Sequence, residues 1–313
     1  MAGIALEEQA AIGRPRPHPI DQTADAEAVL AHLVAARATG RGAVLVAITG
    51  LTASSVRGLG ALMAVLPDGG YAGSFSGGCI EAAIVGEALD ALDAGQPRQV
   101  RFGAGSPYID VRLPCGGGVD LTFLPNPDAA LIDGVLTDLR ARRPAQLALG
   151  AAEFHYVPRL RVIVVGQGAE TVALTDLTRA FGGAVDVVTP QPAIVEEAAA
   201  AGARARLIRT PGEIGTLSAD PWTAIALLFH DHDWELAVLR AALASPAFWI
   251  GAMGGAKTRA ARIAMLAAAG VAPADIARVR SPIGLIPSAR DPSTLALSAL
   301  AEIVAAYRAA GTA

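Results

Sequence analysis

The two cysteines of the chain each stand beside a run of glycines: Gly73-Ser74-Phe75-Ser76-Gly77-Gly78-Cys79-Ile80-Glu81 and Leu113-Pro114-Cys115-Gly116-Gly117-Gly118. An apolar approach precedes the first run and a helically spaced apolar stretch follows it, so Cys79 falls at an expected helix start. Glycines ahead of a helix let backbone N–H groups reach an anion, and the helix dipole favours negative charge there. The same field lowers a cysteine pKa and makes thiolate available. A phosphate-bearing ligand, a soft-metal ligand and a persulfide carrier are all chemically open at Gly77, Gly78 and Cys79. Taken alone, that reading is no stronger than a tight turn around a small, buried, inert cysteine. Gly116, Gly117 and Gly118 shift the balance, because consecutive glycines cost backbone entropy that a plain turn seldom needs. Structural zinc is excluded: two cysteines without nearby histidines fall short of a tetrahedral ligand set. Glu81 is either part of the site or an acid placed only for the helix dipole.

Three other stretches carry polar groups in suggestive places. Ser54, Ser55 and Arg57 lie in a Gly-rich loop and offer hydroxyls, a guanidinium and free amides, which is anion-binding equipment or simply a polar surface loop. Gly166-Gln167-Gly168 follows an apolar strand and opens a helix, the context of a dinucleotide fingerprint. Thr171 then takes the place of the third glycine, and Thr189-Pro190 stand where a ribose-binding acid is expected, with Asp186 inside the strand. His230-Asp231-His232-Asp233 follows another apolar strand, at the end where α/β sheets bind ligands; one of the two acids is expected to cap a helix.

These residues need a scaffold, and the composition supplies one. Of 313 residues, 53% are hydrophobic, 17% charged and only 4% aromatic, so aliphatic side chains must pack helices onto sheets. The net charge of −4, with no basic stripe, argues against nucleic acid. No apolar run is long enough to span a bilayer, and Glu7 and Glu8 interrupt any signal-peptide pattern, which together with only two cysteines points to a reducing cytoplasm. Residues 1–24 read as a flexible N-terminal arm, since Arg14-Pro15-Arg16-Pro17-His18-Pro19 cannot be helical. Residues 25–157 read as a mixed α/β domain containing the Gly-rich Cys motifs. Residues 158–313 alternate strand and helix, the pattern of a Rossmann-like, doubly wound parallel sheet.

Gly73–Glu81 resembles the Gly-Ser-x-Gly-Gly-Gly-Cys-x-Glu signature of the XdhC/CoxI family, accessory proteins of xanthine dehydrogenase, carbon monoxide dehydrogenase and related molybdenum hydroxylases. Leu113-Pro114-Cys115-Gly116-Gly117-Gly118 is similar to that family's second motif, and Ser54-Ser55, Arg57, Gly60-Ala61 and Met63 to a third. In the second half, Gly166-Gln167-Gly168, His230-Asp231-His232, Trp249-Ile250-Gly251-Ala252-Met253-Gly254, Arg262, Pro282-Ile283-Gly284-Leu285 and Ala296-Leu297-Ser298 match in order and spacing. Ala53 and Val56 replace a Gly and a Pro of the third motif; the other departures, Thr171, Thr189, Gly255-Ala256 and Ile286-Pro287-Ser288, fall in the second half, and they weaken the case for a nucleotide.

The resemblance implies a non-enzymatic factor that binds the molybdenum cofactor (molybdopterin), supports its sulfuration by a cysteine desulfurase and inserts it into a molybdenum hydroxylase apoenzyme. On that reading Cys79, Cys115, Gly77, Gly78, Gly116, Gly117, Gly118, Ser54, Ser55, Arg57 and Glu81 bind the cofactor, with the two cysteines facing molybdenum or its sulfur. Gly166, Gly168, His230 and Asp231 are candidates for binding a nucleotide. The alternative is an NAD(P)-dependent oxidoreductase. Self-association into a homodimer stays open.

Overall fold

A computed structural model describes residues 14–52, 55–78, 80–106, 116–150 and 152–311, apart from the side chain of His232. The chain divides into two compact units, Met1–Pro158 and Arg159–Ala313.

In the first unit six strands form one sheet: β1 (His18–Asp21), β2 (Val44–Thr52), β3 (Leu62–Val65), β4 (Gly70–Ala72), β5 (Arg98–Gly103) and β6 (Gly118–Pro125), in the order β1-β4-β3-β2-β6-β5. Both faces are covered, which is why β2 is apolar at consecutive positions rather than alternating. Val44, Val46 and Ile48 face the layer under helix α2 (Glu81–Ala94), where Ile84, Val85 and Ala88 meet Phe102 and Phe123. Leu45 and Ala47 face the opposite layer with α1 (Ala26–Ala38) and α3 (Ala129–Arg140). A hairpin of β7 (Ala145–Leu149) and β8 (Ala152–Tyr156) completes the unit.

The strand β1 departs from the expected loose arm. It runs parallel to β4 with His18 opposite Gly70 and Pro19 opposite Tyr71. The His18 amide donates to Gly69 O at 3.1 Å, and Asp21 O accepts from Gly73 N at 2.8 Å. Prolines at alternate positions leave their missing donors on one side, a pattern that suits an edge strand. Gly69 admits the arm, since a Cβ there would lie 2.7 Å from Arg16 O. His32 of α1 lies half-buried with Nε2 3.7 Å from Asp21, a structural placement.

The second unit is a fully parallel six-stranded sheet. Its strands are β9 (Arg161–Gly166), β10 (Ala184–Thr189), β11 (Arg204–Leu207), β12 (Thr223–Leu228), β13 (Trp249–Ala252) and β14 (Val279–Arg280), ordered β11-β10-β9-β12-β13-β14. This is the doubly wound order, with its reversal between β9 and β12. Val162 and Val164 point into one apolar layer, Ile163 and Val165 into the other. The crossover and flanking helices are α4 (Gly168–Ala180), α5 (Pro192–Ala200), α6 (Glu235–Leu243), α7 (Ala256–Ala268), α8 (Pro273–Ile276) and α9 (Pro292–Gly311). Among the described residues, no helix is long and apolar enough to cross a membrane.

Candidate functional site

Strand directions in the first sheet bring the motif-bearing loops to one edge. β2, β4 and β5 end there and β3 and β6 begin there, because β3 is antiparallel to β2 and β4, and β6 to β2 and β5. Three connections therefore leave the same edge: residues 53–61, 73–80 and 104–117. They carry Ser54, Ser55 and Arg57; Gly77, Gly78 and Cys79; and Cys115, Gly116 and Gly117, with Gly118 opening β6. Cys79, Cys115 and Ser54 themselves lie outside the described residues.

The loop after β4 is built around Glu81, the first residue of α2, whose side chain is buried. Its Oε1 accepts from the backbone N–H of Ser76 at 2.8 Å and of Phe75 and Gly77 at 3.1 Å, and from Ser74 Oγ at 3.4 Å. Its Oε2 accepts from Ser76 Oγ at 2.5 Å, Gly78 N at 2.8 Å and Ile80 N at 3.3 Å. Gly77 and Gly78 take φ of +73° and +112°, and a Cβ at either would meet open space. Glycine is thus needed at both for backbone conformation, which turns successive amides toward one point. Burial pushes the Glu81 carboxyl up, but the bonds from Ser76 and Gly78 outweigh it, and the net direction is down. Glu81 is therefore turned inward onto its own loop, not outward toward a cargo.

Arg57 joins two of the loops: its Nε donates to Ser74 O at 2.9 Å, and its amide to Ser55 Oγ at 3.4 Å. Its Nη1 and Nη2 have no partner among the described residues. The base of the third loop is closed by Arg101, which the sequence did not single out. Arg101 Nη1 donates to both oxygens of Asp120 at 2.8 and 2.9 Å, Nη2 to Thr52 Oγ1 at 2.7 Å, and Nε to Ala104 O at 2.8 Å. Gly118 gives room for this: a Cβ would lie 2.7 Å from Ala104 O and 2.8 Å from Arg101 Nη2. Gly116 has φ +69°, and Gly117 O accepts from Ala104 N at 3.0 Å. The only signal for Arg101 and Asp120 was opposite charge in neighbouring strands, visible once the register is known. Among the described residues no group of three or more metal-binding side chains forms.

In the second unit the ends of β9 and β12 frame a different arrangement. Gly168 N, the helix-start amide that would meet a dinucleotide pyrophosphate, donates to Gln191 Oε1 at 2.9 Å. Thr171 is fully buried against Gly166, whose own Cβ would lie 2.7 Å from Thr171 Oγ1, so the helix still packs closely. Asp186 forms a two-pronged ion pair with Arg204 at 2.7 and 2.9 Å rather than facing the crevice. His230 is exposed, 3.5 Å from Glu170 in the first turn of α4. Asp231 accepts from Asp233 N at 2.9 Å and so caps the short turn His232–Trp234. A cleft of about 750 Å³ opens beside them, lined by Glu170, His230, Met253, Ile286, Arg290 and Leu295 among others.

Comparison with known proteins connects these two units to one lineage. The model of the XdhC and CoxI family matches residues 36–103, and that of the XdhC Rossmann domain matches residues 162–303. The chain is 34% identical over 308 residues to the molybdenum cofactor insertion chaperone PaoD of Escherichia coli strain K12, covering 92% of this chain and 91% of that protein. The chain belongs to the XdhC/CoxI family. A crystal structure from Bacillus halodurans, described as a xanthine dehydrogenase, superposes with a TM-score of 0.72 at 20% identity, over 90% of this chain and 96% of that one, and shares the fold.

Several XdhC/CoxI motif residues of the second unit are scaffold around the cleft. Gly251 lies under the Trp249 ring, where a Cβ would come within 2.1 Å of it. Arg262, buried, donates to Glu235 at 2.7 and 2.9 Å, to Ser281 Oγ at 2.6 Å and to Met253 O at 2.8 Å. Gly284 sits against Ser298, whose Oγ would be 2.3 Å from a Cβ and accepts from Ile286 N at 2.7 Å.

Proposed function

We propose that this protein is a non-enzymatic chaperone that binds the molybdenum cofactor at the loop edge of its first unit. It delivers the cofactor to a molybdenum hydroxylase of the xanthine dehydrogenase or carbon monoxide dehydrogenase type, and supports sulfuration by a cysteine desulfurase before insertion. The observation that carries this reading is the convergence of three motif-bearing loops on one sheet edge, in a chain 34% identical to an insertion chaperone. Cys79 and Cys115 supply soft sulfur donors toward molybdenum or its incoming sulfur. Arg57, with Ser54 and Ser55, takes the pterin phosphate, a role suited to a guanidinium whose terminal N–H groups have no partner among the described residues. The glycines at 77, 78 and 116–118 shape the loops.

The test is to purify the chain from cells that make the cofactor and assay released pterin and molybdenum. Both should co-purify, and Cys79→Ala or Cys115→Ala should weaken retention. Absence of both, with no binding of added cofactor, removes the function; unchanged retention in both variants removes the thiols from it. The competing oxidoreductase reading is disfavoured by Gln191 on the Gly168 amide and by the Glu170 carboxylate in the same helical turn. Titration with NAD(H) and NADP(H) should show no binding; saturable binding would restore that reading.

A further inference from the structure

A nest of successive amides at a helix N-terminus is an anion-binding device. In this protein the anion comes from within the chain. The amides of Phe75, Ser76, Gly77, Gly78 and Ile80 all donate to Glu81, and the hydroxyls of Ser74 and Ser76 join them. Glu81 is 3% exposed, and each of its carboxylate oxygens accepts several hydrogen bonds. An external phosphate at this point would find its donors taken and a like charge in the way.

We propose that Glu81 is the resident anion of the glycine loop and acts as a positioning residue: it fixes the backbone on both sides of position 79, and the anionic group of the cargo is taken by Arg57 instead. The second clause rests on the proposed chaperone function; the first does not. Arg57 is suited because its Nε is fixed on Ser74 O at the start of the glycine loop, while both terminal nitrogens have no partner among the described residues.

The positive end of α2 is met by a carboxylate in its own first turn. The other titratable or charged groups toward Glu81 are Tyr71, whose hydroxyl is pushed up by burial and by the Glu81 charge, and Arg57 through Ser74.

Amide hydrogen exchange on the full chain without cofactor tests the first clause. The amides of Phe75 to Gly78 and of Ile80 should be protected, and inorganic phosphate should leave them unchanged. In Glu81→Ala their exchange should accelerate by about 100-fold or more, and formate, a small carboxylate, should restore part of the protection. Free exchange in the wild type that slows on adding phosphate would overturn the proposal, as would unchanged protection in Glu81→Ala. If Glu81→Ala does not fold, Glu81→Gln keeps the volume and removes the charge, and the same comparison applies.

The second clause has its own readout. Arg57→Ala should lose cofactor while keeping loop protection. Full retention would overturn the Arg57 assignment and leave that of Glu81 standing. A wild-type protein that holds no cofactor would instead defeat the chaperone reading, with the exchange result intact.

Discussion

Glu81 and Arg262 are both buried charges, satisfied in opposite ways. Glu81 is met by neutral dipoles, whereas Arg262 is met by an opposite charge, with Glu235, Ser281 and Met253 O filling its donors. The difference predicts different behaviour. Because Glu81 is held below its ordinary value, its contribution to stability is present above the unfolded carboxyl range and is lost as pH falls through the folded value. Far-UV circular dichroism in acid should therefore show a low-pH loss of structure in the first unit that Glu81→Gln does not share. The Arg262–Glu235 pair should behave as a desolvated ion pair: Arg262→Ala or Glu235→Ala alone costs about 3–5 kcal/mol, while the double replacement Arg262→Met with Glu235→Leu is close to neutral. Trp222, Trp234 and Trp249 are the protein's three tryptophans and all lie in the second unit, so their fluorescence during urea unfolding reads that unit alone. A double variant as unstable as the singles would show that the pair holds more than charge.

At the scale of elements, the glycines separate into two kinds. Gly73 has φ +105°, and a Cβ there would lie 2.5 Å from Leu62 O, while Gly77 has φ +73° and open space around it. Gly77→Ala should therefore cost only the left-handed backbone penalty, about 1–2 kcal/mol. Gly73→Ala adds a steric overlap with the backbone of β3 and should cost about 2–5 kcal/mol. Equal losses in chemical denaturation followed by circular dichroism would contradict this division. Sequence could place these glycines but could not sort them, because strand β3 is distant in sequence from neither and only the fold says which it touches. The regular elements were legible for a related reason: apolar period and Gly or Pro punctuation are local, and the helix expected to start at Cys79 begins at Glu81. What escaped was non-local. Strand β1 hid behind prolines that an edge position tolerates, β14 is only two residues long, and Arg101 with Asp120 needed the register of β5 on β6. The acid at position 81 was visible, but its role required knowing that five preceding amides turn back on it.

For the molecule as a whole, the two units divide the chemistry unevenly. The first gathers positive-φ glycines and a guanidinium whose terminal nitrogens have no partner among the described residues at one end of its sheet, features that a packing argument alone does not require. The second keeps the Rossmann order, yet its glycine-loop amide is engaged by Gln191 and its motif residues Gly251, Arg262 and Gly284 are spent on packing. Each unit has apolar layers on both faces of its own sheet, which supports independent folding. Residues 1–158 and 159–313, produced separately, should each give a cooperative thermal transition. Incubated with released molybdenum cofactor and passed over a sizing column, the first fragment should carry pterin and the second should not. Pterin travelling with the second fragment would move the site to the cleft beside His230 and Arg290. The thiols of Cys79 and Cys115 would then need another explanation, and so would a sheet that sends three motif loops to one edge.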